Sequence, residues 1–292
     1  MSGPVVVGVD GSESSLTAVD VAAREAALRG VGLRLVHAFG WPSVHTPLRT
    51  PPWSAAGVRE MVDGTLADAE LRARAIAPDV EIAREVVVVG EPVMVLELET
   101  RTASLAVVGS RGLNRFGRLL LGSTAGHLAA HGRCPVLVMR GRPEPTGPVL
   151  LAVDGAPRSA AAVEFAFAYA SLHGTALRAL HAWNTHTERS YGAPGDPPFV
   201  TYDEDRLRDE EERLLAEAIS GMTEKYPDVE VERSLVRGRI RHSVIEATAG
   251  AGVVVVGARG RGGFTGLRLG SVSQAVLHHA ECPVAVVRAE EE

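Results

Sequence analysis

The chain has 292 residues, of which 46% are hydrophobic and only 4% aromatic, and a formal net charge of −6. That length accommodates two domains of about 140–150 residues, each able to bury its own core. The aliphatic-rich composition suits parallel sheets. An acidic balance argues against nonspecific binding to nucleic acid or to an anionic membrane, because both partners need a basic face.

In chain order, the aliphatic run Val5–Val9 leads into Asp10-Gly11-Ser12 and then into Ser15–Arg29, where apolar residues recur at three- and four-residue spacing, the pattern of a βα unit. Leu33–Ala38 reads as a second strand, Leu66–Ala77 as part of a long helix, and Ala83–Val89 as a third strand. A helix over Pro92–Thr102, a strand over Leu105–Val108, a helix over Gly122–His131 and a strand over Pro135–Met139 come next, with the proline tolerated because it opens the strand. Gly141–Pro148 is rich in Pro and Gly without periodicity, so residues 142–148 read as a linker between a domain of residues 1–141 and one of 149–292.

Strands near Val149–Val153, Leu177–Ala182, Val231–Val236, Val253–Val256 and Val284–Val287 repeat the order in the second half. Alternating strands and helices predict an α/β fold of doubly wound parallel sheets, five strands in each half. Two irregular stretches, Trp41–Gly57 and Trp183–Tyr202, are long enough for a lid or a mobile excursion.

The halves are copies of one another. Val5–Gly11 matches Val149–Gly155, and His37-Ala38 matches His181-Ala182, both displaced by 144 positions; Gly90 matches Gly238 at 148. Four residues are therefore expected to be added between the second and third strands of the second copy. Cys134 and Cys282 take equivalent places before a proline and read as small core residues, with no metal-ligand spacing. No charged-then-apolar leader opens the sequence, so a soluble, cytoplasmic protein is expected.

The most informative repeat is Gly109-x-x-Gly112, nine residues, Gly122-Ser123, which returns as Gly257-x-x-Gly260, nine residues, Gly270-Ser271. Glycines let backbone approach a phosphate and offer it exposed N–H groups. Gly122-Ser123-Thr124 and Gly270-Ser271-Val272 then open helices, whose first N–H groups and positive dipole end favour an anion. Donors at about 1.5–3 kcal/mol each suffice for micromolar binding without a lysine. That point matters, because no Gly-x-x-x-x-Gly-Lys-Ser/Thr sequence is present. Arg111, Arg115 and Arg118, and Arg259, Arg261 and Arg268, supply positive charge or stand as solvated loop residues. Ser123 and Ser271 suit both helix capping and phosphate donation. Asp10 and Asp154 would serve a ribose, a Mg2+ ion or only the Asp-Gly turn that Gly11 and Gly155 complete. His37 and His181 are given no chemistry.

Val-Gly-Val-Asp-Gly-Ser at the start, Gly-x-x-Gly-x9-Gly-Ser in the middle and Cys-Pro-Val-x-Val at the close, the last two returning in the second half and the first as Leu-Ala-Val-Asp-Gly-Ala, resemble a tandem universal stress protein across nearly the whole chain. The resemblance implies strand order 3-2-1-4-5, a bound adenine nucleotide (ATP, with or without Mg2+) between the first and fourth strands, and domains paired through their fifth strands. It puts phosphate on Gly109, Gly112, Gly122 and Ser123 and on Gly257, Gly260, Gly270 and Ser271, Asp10 and Asp154 beside the nucleotide, and adenine against the backbone near Ala38 and Ala182.

A stress-response role is implied by the resemblance, with two nucleotide sites and no protein partner identified. Since no base is evident near the glycine loops, the expectation is a regulatory module with little or no turnover; a slow ATPase or phosphotransferase is the alternative, and a structural module with idle pockets the third reading. Further homodimerisation stays open. Asn114-Arg115 against Gly262-Gly263, Ala156-Pro157 against Ser12-Glu13, and Arg239 against Glu91 suggest unequal sites, with the second holding the more anionic nucleotide tighter.

Overall fold

The protein is described by a computed structural model covering residues 3–38, 55–87, 91–112, 121–142, 146–184, 204–261 and 268–289. In the first half, strands β1 (Val5–Gly8), β2 (Leu33–Ala38), β3 (Ile82–Val87), β4 (Leu105–Gly109) and β5 (Val136–Met139) alternate with helices α1 (Glu13–Arg29), α2 (Ala55–Ile76), α3 (Pro92–Glu99) and α4 (Ser123–His131). The second half has β6 (Val149–Ala152), β7 (Leu177–Trp183), β8 (Val231–Arg237), β9 (Val253–Gly257) and β10 (Val284–Val287), with α5 (Ala160–His173), α6 (Glu204–Ala218), a short α7 (Met222–Lys225), α8 (Ile240–Ala247) and α9 (Ser271–His279).

Both faces of the sheet are covered, which explains why the strands read as unbroken aliphatic runs. Val5 and Val7 pack into one core and Val6 into the other, and all three are buried. The alanine-rich face of α1, with Ala18, Ala22 and Ala26 fully buried, lets that helix lie close on the strands. It stops at Gly30, whose φ of 63° places it in the left-handed region that ends helices. Cys134 and Cys282 are buried, and burial pushes both thiols up to about 12, as fits core residues.

Each half has the order 3-2-1-4-5, and the two are joined edge to edge: β5 and β10 pair antiparallel through Val138 with Val284 and Val136 with Val286. The two five-stranded sheets thus form one ten-stranded sheet, and the apolar fifth strands, which would otherwise be open edges, satisfy each other.

Strand register corrects one sequence expectation. Leu33 pairs with Ile82 and Leu177 with Val231, so the second copy gains five residues before its third strand rather than four. It loses one again before the fourth, since Val5 pairs with Leu105 and Val149 with Val253. Gly90, Val88 and Val89 lie outside the described residues.

Candidate functional site

The site is built from the turns and loops that leave β1 and β4 in one half and β6 and β9 in the other, because a parallel sheet opens a crevice where its winding reverses. After β6, Gly155 takes a φ of 70°, a conformation that suits glycine, and turns the chain back across the strand end. Asp154 is held in that turn. Its Oδ1 accepts the Ala156 N–H at 3.0 Å and the Ser159 hydroxyl at 2.5 Å, while Oδ2 accepts the Arg261 N–H at 2.7 Å.

In the first half, Gly11 has a φ of 79°, and Asp10 Oδ1 accepts the N–H and hydroxyl of Ser12 at 2.9 and 2.6 Å. Ser12 in turn caps α1 by accepting the Ser15 N–H. Ala156 offers no side-chain cap, and α5 accordingly starts later, after a 3-10 turn over Pro157–Ser159.

The glycines of the repeated motif have different physical reasons. A Cβ on Gly260 would fall 2.3 Å from Asp154 Oδ2, and one on Gly112 2.7 Å from Asp10 Oδ2, so both are bare because the aspartate packs on them. A Cβ on Gly109 would come within 2.8 Å of the Ser14 backbone, so the bare residue lets α1 seat against β4. A Cβ on Gly257 would meet the Arg259 carbonyl at 3.2 Å, and one on Gly122 the Ser110 carbonyl at 3.3 Å.

Gly270 differs from the rest. Among the described residues a Cβ there would meet nothing nearer than 3.6 Å, and its φ of −72° suits any residue. It is the N-cap of α9 and has no side chain to bond the helix's first N–H groups. Ser273, a turn later, donates its hydroxyl to the Gly257 carbonyl at 2.7 Å, tying the helix start to the end of β9.

A cavity of about 500 Å³ opens at this point, within the roughly 300–1,000 Å³ of small-molecule sites. Asp154, Gly257, Gly260, Gly270 and Ser271 line one part of it, with Arg259, Val272 and Ala182 also at its wall. Gly155 does not line it; a Cβ there would strike Leu214 of α6. The far wall is apolar, from Leu180, Trp183, Ile240, Val244, Val256 and Leu269, residues that no motif in the sequence singles out. Arg237 sets its guanidinium 5.8 Å from the Trp183 ring centroid and pairs with Glu204 at 2.6 Å.

In the first half, Asp10, Gly11, Ala38, Gly109, Arg111, Gly112, Gly122, Ser123 and Thr124 gather at the corresponding strand and helix ends. Arg115 and Arg118, Asn114, Gly262 and Gly263, and most of both long loops lie outside the described residues.

His181 is buried and lines the cavity together with Glu211. Its Nδ1 donates to the Val153 carbonyl at 2.7 Å and its Nε2 meets Glu211 Oε2 at 2.7 Å. His37, its counterpart, is also buried, and its Nδ1 has no hydrogen-bond partner among the described residues. Burial holds its pKa below the ordinary value against the opposing pull of the Val9 carbonyl and Asp10. Among the described residues no group of three or more His, Cys, Asp and Glu is assembled for a metal ion.

This geometry has counterparts among known proteins. The family model described as the Universal stress protein family matches residues 1–140 and again 146–288. Universal stress protein Rv1996 of Mycobacterium tuberculosis is 36% identical over 97% of this chain and 94% of its own. Universal stress protein Rv2005c of the same species is 37% identical over 97% of this chain and 96% of its own. A crystal structure of a universal stress protein from Archaeoglobus fulgidus superposes with a TM-score of 0.69 at 19% identity, covering 99% of both chains, a likeness of fold.

Proposed function

This chain belongs to the universal stress protein family, and we propose that it binds adenine nucleotide, ATP with or without Mg2+, in each half and acts as a nucleotide-dependent regulatory module in the stress response. The observation that carries the reading is Gly270. Among the described residues no packing demand makes that residue a glycine, yet it sits bare at the start of α9 on the wall of a 500 Å³ cavity. A phosphate there would take the first N–H groups of the helix, which have no intrahelical acceptor. The apolar wall from Leu180 to Leu269 suits a base, and Asp154 and Ser271 lie between. The first half carries the same residues at Asp10, Gly109, Gly112, Gly122 and Ser123.

Little or no turnover is part of the reading. Both carboxylate oxygens of Asp154 are engaged, accepting three donors between them, which suits a structural clasp more than a proton acceptor for water. Purified protein, denatured and its released small molecules separated by chromatography, should yield adenine nucleotide approaching two per chain. A value near zero that stays near zero after incubation with ATP would contradict the reading. Magnesium-dependent phosphate release lost in the Asp10→Ala, Asp154→Ala double variant would favour an ATPase instead.

A further inference from the structure

Each half reaches across the seam with the arginine that follows its fifth strand, and Arg142 adds a bond from the first half to the Ala251 carbonyl at 3.2 Å. Arg140, just after β5, donates its Nε to the Ala280 carbonyl at 3.0 Å and its guanidinium also bonds the Leu277 carbonyl. Both acceptors are at the C-terminal end of α9, the helix whose first residue lies in the cavity of the second half. Arg288, just after β10 and 148 positions later, bonds the Ala130 carbonyl at the end of α4 and the Arg268 carbonyl at 3.3 Å. Residue 268 is two before Gly270, in the second glycine loop. Arg140 has the matching neighbour: after burial, repulsion from Arg111 of the first glycine loop is what lowers its pKa.

The connections therefore cross. Arg140 and Arg288 each stand beside the glycine loop of their own half and hold the far end of the helix that opens the other half's site. A helix of nine residues is about 13 Å long and behaves as a rigid rod, and a guanidinium on its last carbonyls satisfies groups that otherwise lack partners while opposing the negative end of the dipole.

We propose that Arg140 and Arg288 couple the two nucleotide sites, so that filling one tightens the other. The inference rests on the two-site reading above and adds its regulation. Phosphate held at Gly270 fixes the loop that carries the Arg268 carbonyl; this steadies Arg288, and through it the end of α4 whose other end is Gly122-Ser123. The first site then loses less freedom when it fills. The reverse path runs from the Arg111 loop through Arg140 to α9. Both arginines are positioning residues.

The test is calorimetric titration of the full chain with ATP. Gly122→Val leaves the second site and Gly270→Val the first, each measured with its neighbour empty; both positions have negative φ, and at Gly122 the Ser110 carbonyl need give only by a few tenths of an ångström. In the unmodified chain the second ATP should bind about 5-fold or more tighter than these two affinities imply. In an Arg140→Met, Arg288→Met double variant, single-site affinities should persist while the excess disappears, a split that a merely structural role would not produce.

An unmodified isotherm equal to two independent sites, or one showing antagonism, overturns the coupling and leaves the two-site reading standing. Fewer than two ATP per chain removes that reading itself. Coupling that survives in the double variant overturns the assignment to the arginines. Should the double variant not fold, Arg288→Lys, which keeps the charge but not the fork, should reduce the excess, and an unchanged excess overturns it equally.

Discussion

Asp154 Oδ2 accepts the Arg261 N–H at 2.7 Å, joining the turn after β6 to the loop after β9 across 107 residues. The bond fixes the distance between two walls of the cavity, and the bare α-carbon of Gly260 beneath the same oxygen makes it sterically feasible. Replacing Asp154 by Ala leaves the Ala156 and Arg261 N–H groups and the Ser159 hydroxyl without this acceptor. A loss of about 1–3 kcal/mol of stability is expected, together with weaker nucleotide binding, read by urea unfolding and ATP titration on the same preparation. Unchanged binding would show that the clasp does not shape the site.

Two glycines of one motif should behave oppositely. Gly260→Ala drives a methyl to 2.3 Å from a carboxylate oxygen and should cost about 1–3 kcal/mol. Gly270→Ala meets nothing nearer than 3.6 Å among the described residues and should cost under about 1 kcal/mol, the loss of a glycine N-cap, while Gly270→Val loses ATP at the second site. Thermal unfolding separates the two effects; equal destabilisation by both alanines would contradict the distinction.

Much of this was legible in the sequence because it is written in turn and helix-start chemistry. Asp-Gly after an aliphatic strand, and Gly-Ser before a helix, put Asp10, Gly11, Gly122, Asp154, Gly155 and Gly270 where they stand. The length of the insertion was not legible: α2 and α6 are paired with their strands by packing, so only the register of Ile82 and Val231 shows five added residues. Nor was the division among the glycines, since the same residue type serves helix seating at Gly109, aspartate packing at Gly260 and an open cradle at Gly270. Glu211 was hidden for another reason. It sits in an acidic run from Asp209 to Glu212, and only the placement of α6 over β7 brings it to His181.

A buried cluster between the halves sets an acid limit. Glu25 of α1 bonds His173 of α5 at 2.8 Å and Arg29 at 2.9 Å, and Tyr169 stacks on His173. Burial raises the Glu25 pKa, but His173 and Arg29 together outweigh it and leave the value below the ordinary 4.5. A depressed folded value means this stabilisation is present above pH 4.5 and is lost as pH falls through the folded value. Glu25→Gln should therefore be less stable than the unmodified chain at pH 7, with the gap closing below pH 4.5. A gap independent of pH, in urea midpoints across that range, would contradict this role.

The two sites should also differ in taste. Arg239 stands at the N-cap of α8 where Glu91 stands at that of α3. ATP should therefore be preferred over ADP more strongly at the second site than at the first, measured with Gly122→Val and Gly270→Val proteins. Equal preference ratios would remove this asymmetry.

The most direct measurement is the number of ATP molecules bound per chain, by equilibrium titration, in the unmodified protein, in Gly122→Val, in Gly270→Val and in the two combined. Two, one, one and none are expected, with all four proteins folded. A count that does not fall when valine fills these helix starts would contradict phosphate binding there.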